Sequence, residues 1–169
     1  MAIVEKFDFT PLDSIDDPDD YRPNSKLALV VDPGDKDSGI VQNMSVFREQ
    51  LGVGDEIPLH QHTIDEVLMV INGRIKVRLG SMSKEVYKDA VIFIPSKVPH
   101  SFKNIGNEVA EIVATFPSST VDINYLERNP APGTKGQDPG PPVAIDIREF
   151  NKGNFEEAVK TVDANSYLK

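Results

Sequence analysis

Between residues 26 and about 126, Val, Ile, Leu and Phe recur in short runs broken by Gly, Pro, Asn and Asp. That punctuation predicts an all-β domain. The clearest alternation is Arg74-Ile75-Lys76-Val77-Arg78-Leu79, polar on one face and apolar on the other. Strands are predicted over 26–31, 40–50, 56–62, 66–71, 73–79, 84–87, 90–94, 99–104, 108–116 and 121–126. Asn72-Gly73 lies between two apolar runs, and both residues tolerate positive φ, so the pair predicts a tight hairpin. In Val67-Leu68-Met69-Val70-Ile71 and Val91-Ile92-Phe93-Ile94 both faces are apolar, as in strands buried on two sides. Something must then cover the outer face: the N-terminal arm, the C-terminal tail or another subunit.

The flanks differ in composition. Residues 1–25 are acidic and turn-rich (Pro11, Pro18, Pro23) and read as an irregular arm. Residues 26–126 form the β domain. Residues 127–169 open with a Pro/Gly segment, Asn129-Pro130-Ala131-Pro132-Gly133 through Pro139-Gly140-Pro141-Pro142, which suits an extended loop. A short strand is expected at 143–147. Asn154, three residues before Glu157, is placed to cap a helix over 155–162. The chain is thus one β domain with two tails.

A length of 169 residues suffices to bury a core without covalent staples. There are no cysteines, which excludes disulfides, thiolate metal sites and thiol nucleophiles. The start, MAIVEKFDF, lacks the pattern of a secretory leader, and no apolar run reaches the ~18 residues of a membrane span. The expectation is a cytoplasmic protein. A net charge of −9, with Glu5, Asp8, Asp13, Asp16, Asp17, Asp19 and Asp20 in the arm, disfavours nucleic acid and anionic membranes as partners. The acidic run has no regular ligand spacing and reads as a solvated arm.

Only three histidines occur, and they are not scattered. His60 and His62 are two apart in a predicted strand, so both imidazoles share a face. Glu66 follows a short polar break, and His100 opens a later strand. Imidazole and carboxylate suit Fe, Mn, Ni, Co or Zn, and three nitrogens with one oxygen leave positions open for water or substrate. His-x-His alone fits an exposed polar strand equally well.

The wider spacing is more specific. Gly54, His60-x-His62, Glu66 and Gly73 reproduce the first motif of the cupin superfamily, and Pro95, His100 and Asn104 resemble its second. The resemblance covers roughly residues 40–117. It implies a double-stranded β-helix (jelly-roll) barrel in which His60, His62, Glu66 and His100 hold one divalent transition metal: Fe, Mn, Ni or Zn. Two turn glycines of the second motif are replaced, by Asp89 and Lys97. Lysine disfavours positive φ, so the Pro95–Pro99 turn is expected to differ in shape. Lys97 reads as a surface lysine at a turn; the alternative is a cation reaching the barrel mouth to meet an anionic substrate.

Strand parity extends the site. If His60 and His62 face inward, so does Pro58; Leu68 and Val70 follow Glu66, and Phe102 and Asn104 follow His100. Phe102 and Leu68 are the candidate substrate contacts in a mostly apolar pocket, with core packing as their other reading. Arg48, Lys97, Tyr125 and Arg128 could reach the barrel mouth, but nothing in the spacing selects an acid or base. The Glu127-Arg128-Asn129-Pro130 corner could fold over the opening as a lid or staple the outside as a tail. The resemblance implies metal-dependent chemistry on a small organic molecule, with a dioxygenase as the leading subclass and isomerase, decarboxylase or lyase chemistry as alternatives. A binding module for a sugar or small acid is the non-catalytic reading. Small cupins often pair, so a homodimer is expected.

Overall fold

The computed structural model describes residues 3, 5–14, 18–31 and 43–168. Asp16, Asp17 and the first residues of the predicted 40–50 strand lie outside the described residues. Within them the strands are β1 (Thr10–Leu12), β2 (Arg22–Val31), β3 (Ser45–Leu51), β4 (Glu56–Gln61), β5 (Glu66–Asn72), β6 (Arg74–Leu79) and β7 (Met82–Tyr87). They continue as β8 (Val91–Ile94), β9 (His100–Asn104), β10 (Ala110–Phe116), β11 (Thr120–Tyr125), β12 (Val143–Asp146) and β13 (Val159–Thr161). Two short helices, α1 (Ile147–Asn151) and α2 (Phe155–Ala158), precede β13, and a 3-10 turn spans Ala164–Tyr167.

The strands form two antiparallel sheets, ordered β1-β2-β3-β10-β5-β8 and β13-β12-β11-β4-β9-β6-β7. Their inner faces meet in two apolar clusters. One gathers Leu51, Leu68, Val70, Ile75, Phe102 and Ile112. The other holds Phe116, Val121 and Ile147, with Leu29, Phe47 and Ile145 packed against it. In β6, Ile75 and Val77 are buried while Arg74 and Lys76 are exposed, as the alternation requires.

Several expectations are corrected. Asn72-Gly73 makes no hairpin: β5 lies in the first sheet and β6 in the second, so the turn carries the chain across the sandwich. Gly73 is needed there because its φ is 94° and a Cβ would meet Ala110 Cβ at 2.7 Å. The helix predicted over 155–162 is a single turn, because residues 159–161 pair with β12 instead. Asn154 gives no side-chain cap; its amide donates to Glu149 Oε2 at 2.9 Å. The tail therefore adds two strands to the second sheet.

Among the described residues, the outer face of β5 and β8 is also left uncovered. Met69, Ile71, Val91 and Phe93 are exposed, Phe93 by 71%. The described parts of the arm and tail do not reach them, because β1 lies at the end of its sheet away from β8 and β13 at the end of the other sheet away from β7.

Lys97 and Asp89 adopt φ of 65° and 70° despite their side chains. The Pro95 turn thus keeps the left-handed backbone that glycine would take, closed by Val98 N donating to Pro95 O at 3.2 Å. Lys97 N donates to His62 O at 2.7 Å, which gives the strained residue a structural task beside the histidines.

Candidate metal centre

His60 lies on β4 and His62 just beyond it, Glu66 opens β5 and His100 opens β9. Main-chain pairing sets His60 opposite His100, and their rings are 4.1 Å apart. All four side chains are buried, and one ligand atom from each lies within 4.8 Å of the others. β4 and β9 belong to one sheet, so Glu66 is the sole member contributed by the other.

Each imidazole is oriented by a carbonyl. His60 Nδ1 donates to Pro58 O at 2.7 Å and His100 Nδ1 to Val98 O at 2.8 Å, both two residues back along the chain. His62 Nδ1 donates across to Asp122 O on β11. A carbonyl only accepts, so Nδ1 carries the proton in all three rings and Nε2 presents a lone pair. Burial holds His60 well below the ordinary imidazole range, with His100 and His62 pushing it further. Burial also lowers His62, against the opposing pull of Glu66. Both are neutral at physiological pH.

This arrangement is a test of fit for a cation. His100 Nε2 lies 3.0 Å and His62 Nε2 3.6 Å from Glu66 Oε2. Among the described residues, none of these three buried atoms has a hydrogen-bond partner. Lone pairs that converge without a donor repel one another, and a divalent ion satisfies all of them at once. The residues fit the metal that the sequence implied.

Behind the histidines stands a layer that the sequence did not mark. Asp122 is buried; its carboxylate accepts from Thr63 N and Thr63 Oγ1, each at 2.8 Å, and from Tyr167 Oη at 2.6 Å. The one residue that orients His62 thus also gathers the turn after β4 and the final 3-10 turn.

A second buried polar group lies inside the barrel. Arg22 gives a two-point contact to Asp20, 2.7 Å at each nitrogen, and also pairs with Glu49. Burial pushes Glu49 upward, countered by Arg22, while the Glu66 carboxylate raises it further. Burial pulls Arg22 down, but Glu49 and Asp20 outweigh it and keep the guanidinium charged. Glu49 pairs across strands with Ile112, which in turn opposes Val70, so all three share the inner face. The parity of Phe47, Glu49 and Leu51 was the signal that could have revealed it.

The other sequence candidates divide. Arg48, one residue from Glu49, faces outward, where it pairs with Glu111 and lies over the Phe7 ring at 5.0 Å. Lys97 Nζ binds Leu168 O at 3.0 Å and holds the tail, not a ligand. Arg128 binds Asp19, Pro18 O, Thr134 O and Gln137 O, so its corner staples the arm to the Pro/Gly loop. Tyr125 does face the site, its ring 6.2 Å from that of His60. Phe102 is fully buried, its ring 5.6 Å from His100, and Leu68 belongs to the same buried apolar cluster. Pro58 contributes its carbonyl. Asn104 is spent on structure: its amide donates to Leu51 O and Glu108 O, and its oxygen accepts from Gly106 N.

Comparison with known proteins adds the following. A family model described as Cupin domain matches residues 47–116. An uncharacterized protein of Methanocaldococcus jannaschii is 37% identical over 78 residues, which span 44% of this chain and 62% of that protein, under two thirds of its length. One from Streptomyces coelicolor is 30% identical over 76 residues, 45% of this chain and 72% of that protein. Among solved structures, an RmlC-like cupin from Shewanella frigidimarina superposes with a TM-score of 0.52 at 17% identity, covering 69% of this chain and 89% of that one. An oxalate oxidase in complex with glycolate gives 0.54 at 22% identity over 61% and 55%. The polyketide cyclase RemF from Streptomyces resistomycificus gives 0.50 at 18% identity over 76% and 79%. At these identities the structural likeness is one of fold.

Proposed function

The chain belongs to the cupin superfamily, and on that premise we propose that it is a metal-dependent enzyme acting on a small organic molecule, with dioxygenase-type oxidation or cleavage as its chemistry. The observation that carries this reading is the convergence of His62 Nε2, His100 Nε2 and Glu66 Oε2 with no donor between them. A full set of three imidazoles and one carboxylate holds an ion and leaves coordination positions free for substrate. When bound, a divalent transition metal supplies a Lewis-acid centre, and a redox centre if it is iron or manganese.

The chain's own residues supply the setting. Pro58, Val98 and Asp122 keep each Nε2 unprotonated and aimed inward. Phe102 and Phe116 flank His100 and His62 and keep water from the buried side of the site. Glu49 and Arg22 place a carboxylate and a guanidinium inside the barrel, and Tyr125 a phenol beside His60. The scaffold itself does not choose the reaction, since the fold neighbours include both an oxidase and a cyclase.

A second copy of the chain is proposed as the cover for the exposed face of β5 and β8. Among the described strands β8 ends its sheet, with Val91 and Phe93 exposed on it, which favours a two-fold pairing of identical faces.

The test is elemental analysis of protein purified without added metal, followed by oxygen-electrode assays on small diols, keto acids and phenols. Iron with substrate-dependent oxygen uptake supports the dioxygenase. Manganese, nickel or zinc without uptake moves the reading to isomerase, decarboxylase or lyase chemistry, and tight ligand binding without metal moves it to a binding module. Substituting His60 and His62 together by Ala should abolish metal content; unchanged stoichiometry removes the centre.

A further inference from the structure

A cleft of about 630 Å³ opens between the sheets, away from the four ligands themselves. Cross-strand pairing identifies its walls. Leu27 opposes Glu49 and Leu29 opposes Phe47; Phe47 and Glu49 in turn oppose Ala114 and Ile112, which oppose the buried Leu68 and Val70. Directly paired residues share a face, so Leu27, Leu29 and Phe47 belong to the interior of the barrel. Across the gap Ile145 pairs with the buried Val121 and likewise points inward. Inner-face side chains of a sandwich normally fill one another's space, yet these four stay only partly buried. The N-terminal arm borders the cleft through Glu5, Lys6, Phe7 and Asp8, and Phe150 of α1 lines it as well.

The cleft is one ring away from the metal centre. The Phe47 ring in its wall lies 5.4 Å from that of Phe116, which lies 5.1 Å from His62. Charged groups in the lining are confined to the arm, at Glu5, Lys6 and Asp8; apart from Thr10 and Asn151 the rest of the lining is aliphatic and aromatic. The volume falls within the ~300–1,000 Å³ of small-molecule sites, far more than a two- or three-carbon acid needs.

We propose that this cleft is the substrate chamber, that it takes an aromatic or alicyclic molecule bearing a single oxygen-rich end, and that Phe116 turns to admit that end to the metal centre. The proposal rests on the metalloenzyme reading. The arm, which composition presents as solvated chain, becomes the outer wall of the site.

The test uses 2-naphthol as probe and the full chain loaded with Mn²⁺ or Zn²⁺. Fluorescence titration should show saturable binding of one naphthol per chain. Leu27→Trp fills the chamber from one wall and Ile145→Trp from the other, so a variant that fails to fold has a substitute; each should weaken binding at least tenfold while metal content is unchanged. In proton spectra, bound naphthol should broaden with Mn²⁺ and stay sharp with Zn²⁺, which reports its closeness to the centre. The proposal is overturned if naphthol does not bind, if neither filled variant weakens it, or if Mn²⁺ leaves its lines unchanged. A protein that takes up no metal yet binds naphthol in a Leu27-dependent way overturns the metalloenzyme reading and supports the chamber as a ligand site.

Discussion

Tyr167 donates its hydroxyl proton to Asp122 Oδ2 over 2.6 Å, and Asp122 in turn holds the His62 ring through its main-chain carbonyl. The final 3-10 turn therefore acts on the candidate metal centre from behind, without touching it. Tyr167→Phe removes one hydrogen bond from a carboxylate that keeps its two contacts to Thr63. The expected cost is about 1 kcal/mol in urea unfolding. A several-fold weaker metal affinity should accompany it, because the His62 carbonyl anchor is less firmly placed. Unaltered metal titration curves would confine Tyr167 to a purely structural role.

The buried histidines predict the pH response of metal-free protein. Burial lowers His60 and His62 below the ordinary value of 6.5, so the folded state resists protons that the unfolded chain accepts. Stability is then fully present above about pH 6.5 and falls as pH drops below it, as the unfolded state takes up protons first. Metal should be released in the same direction, since protons compete for Nε2. Denaturant midpoints at pH 7.5 and 5.5, with and without chelator, check both statements; equal midpoints in metal-free protein contradict the first.

Lys97 holds a φ of 65° that costs a side chain about 1–2 kcal/mol. Lys97→Gly relieves this, less the added freedom of glycine in the unfolded chain and the loss of the exposed contact to Leu168 O. A net gain of about 0.5–1 kcal/mol is expected in urea unfolding, with metal content preserved. A loss would mean that the tail contact outweighs backbone strain.

Phe93 is 71% exposed on the uncovered face of β8. If a second copy covers that face, Phe93→Glu places a charge in the interface and should convert a dimer to a monomer in sedimentation equilibrium. A wild-type protein that is monomeric at high concentration removes the pairing proposal altogether.

Much of the barrel and the clustering of His60, His62, Glu66 and His100 were legible because both depend on local periodicity and fixed spacing. His60, His62, Glu66 and His100 sit at strand starts and ends, where motif and parity act together. What stayed hidden depends on contacts distant in sequence. Asp122 is 60 residues from His62, and the Arg22–Glu49 pair spans 27, so no window of residues joins them. The Asn72-Gly73 turn shows a subtler limit. Its residues do permit positive φ, but the same chemistry serves a crossover between sheets as readily as a hairpin. For the segment after Asn154, pairing of residues 159–161 with β12 overrode a helical propensity too short to stand alone.

Glu66 alone among the four candidate ligands comes from the six-stranded sheet. An ion held there is therefore a clasp between two layers otherwise joined at that point by packing. Its retention should register as mechanical coherence of the whole sandwich: free metal at ~100 times its Kd adds about 2.7 kcal/mol to folding. Glu66→Gln should lower that increment while sparing the metal-free fold, which makes a single carboxylate the latch by which ion supply sets the rigidity of the barrel.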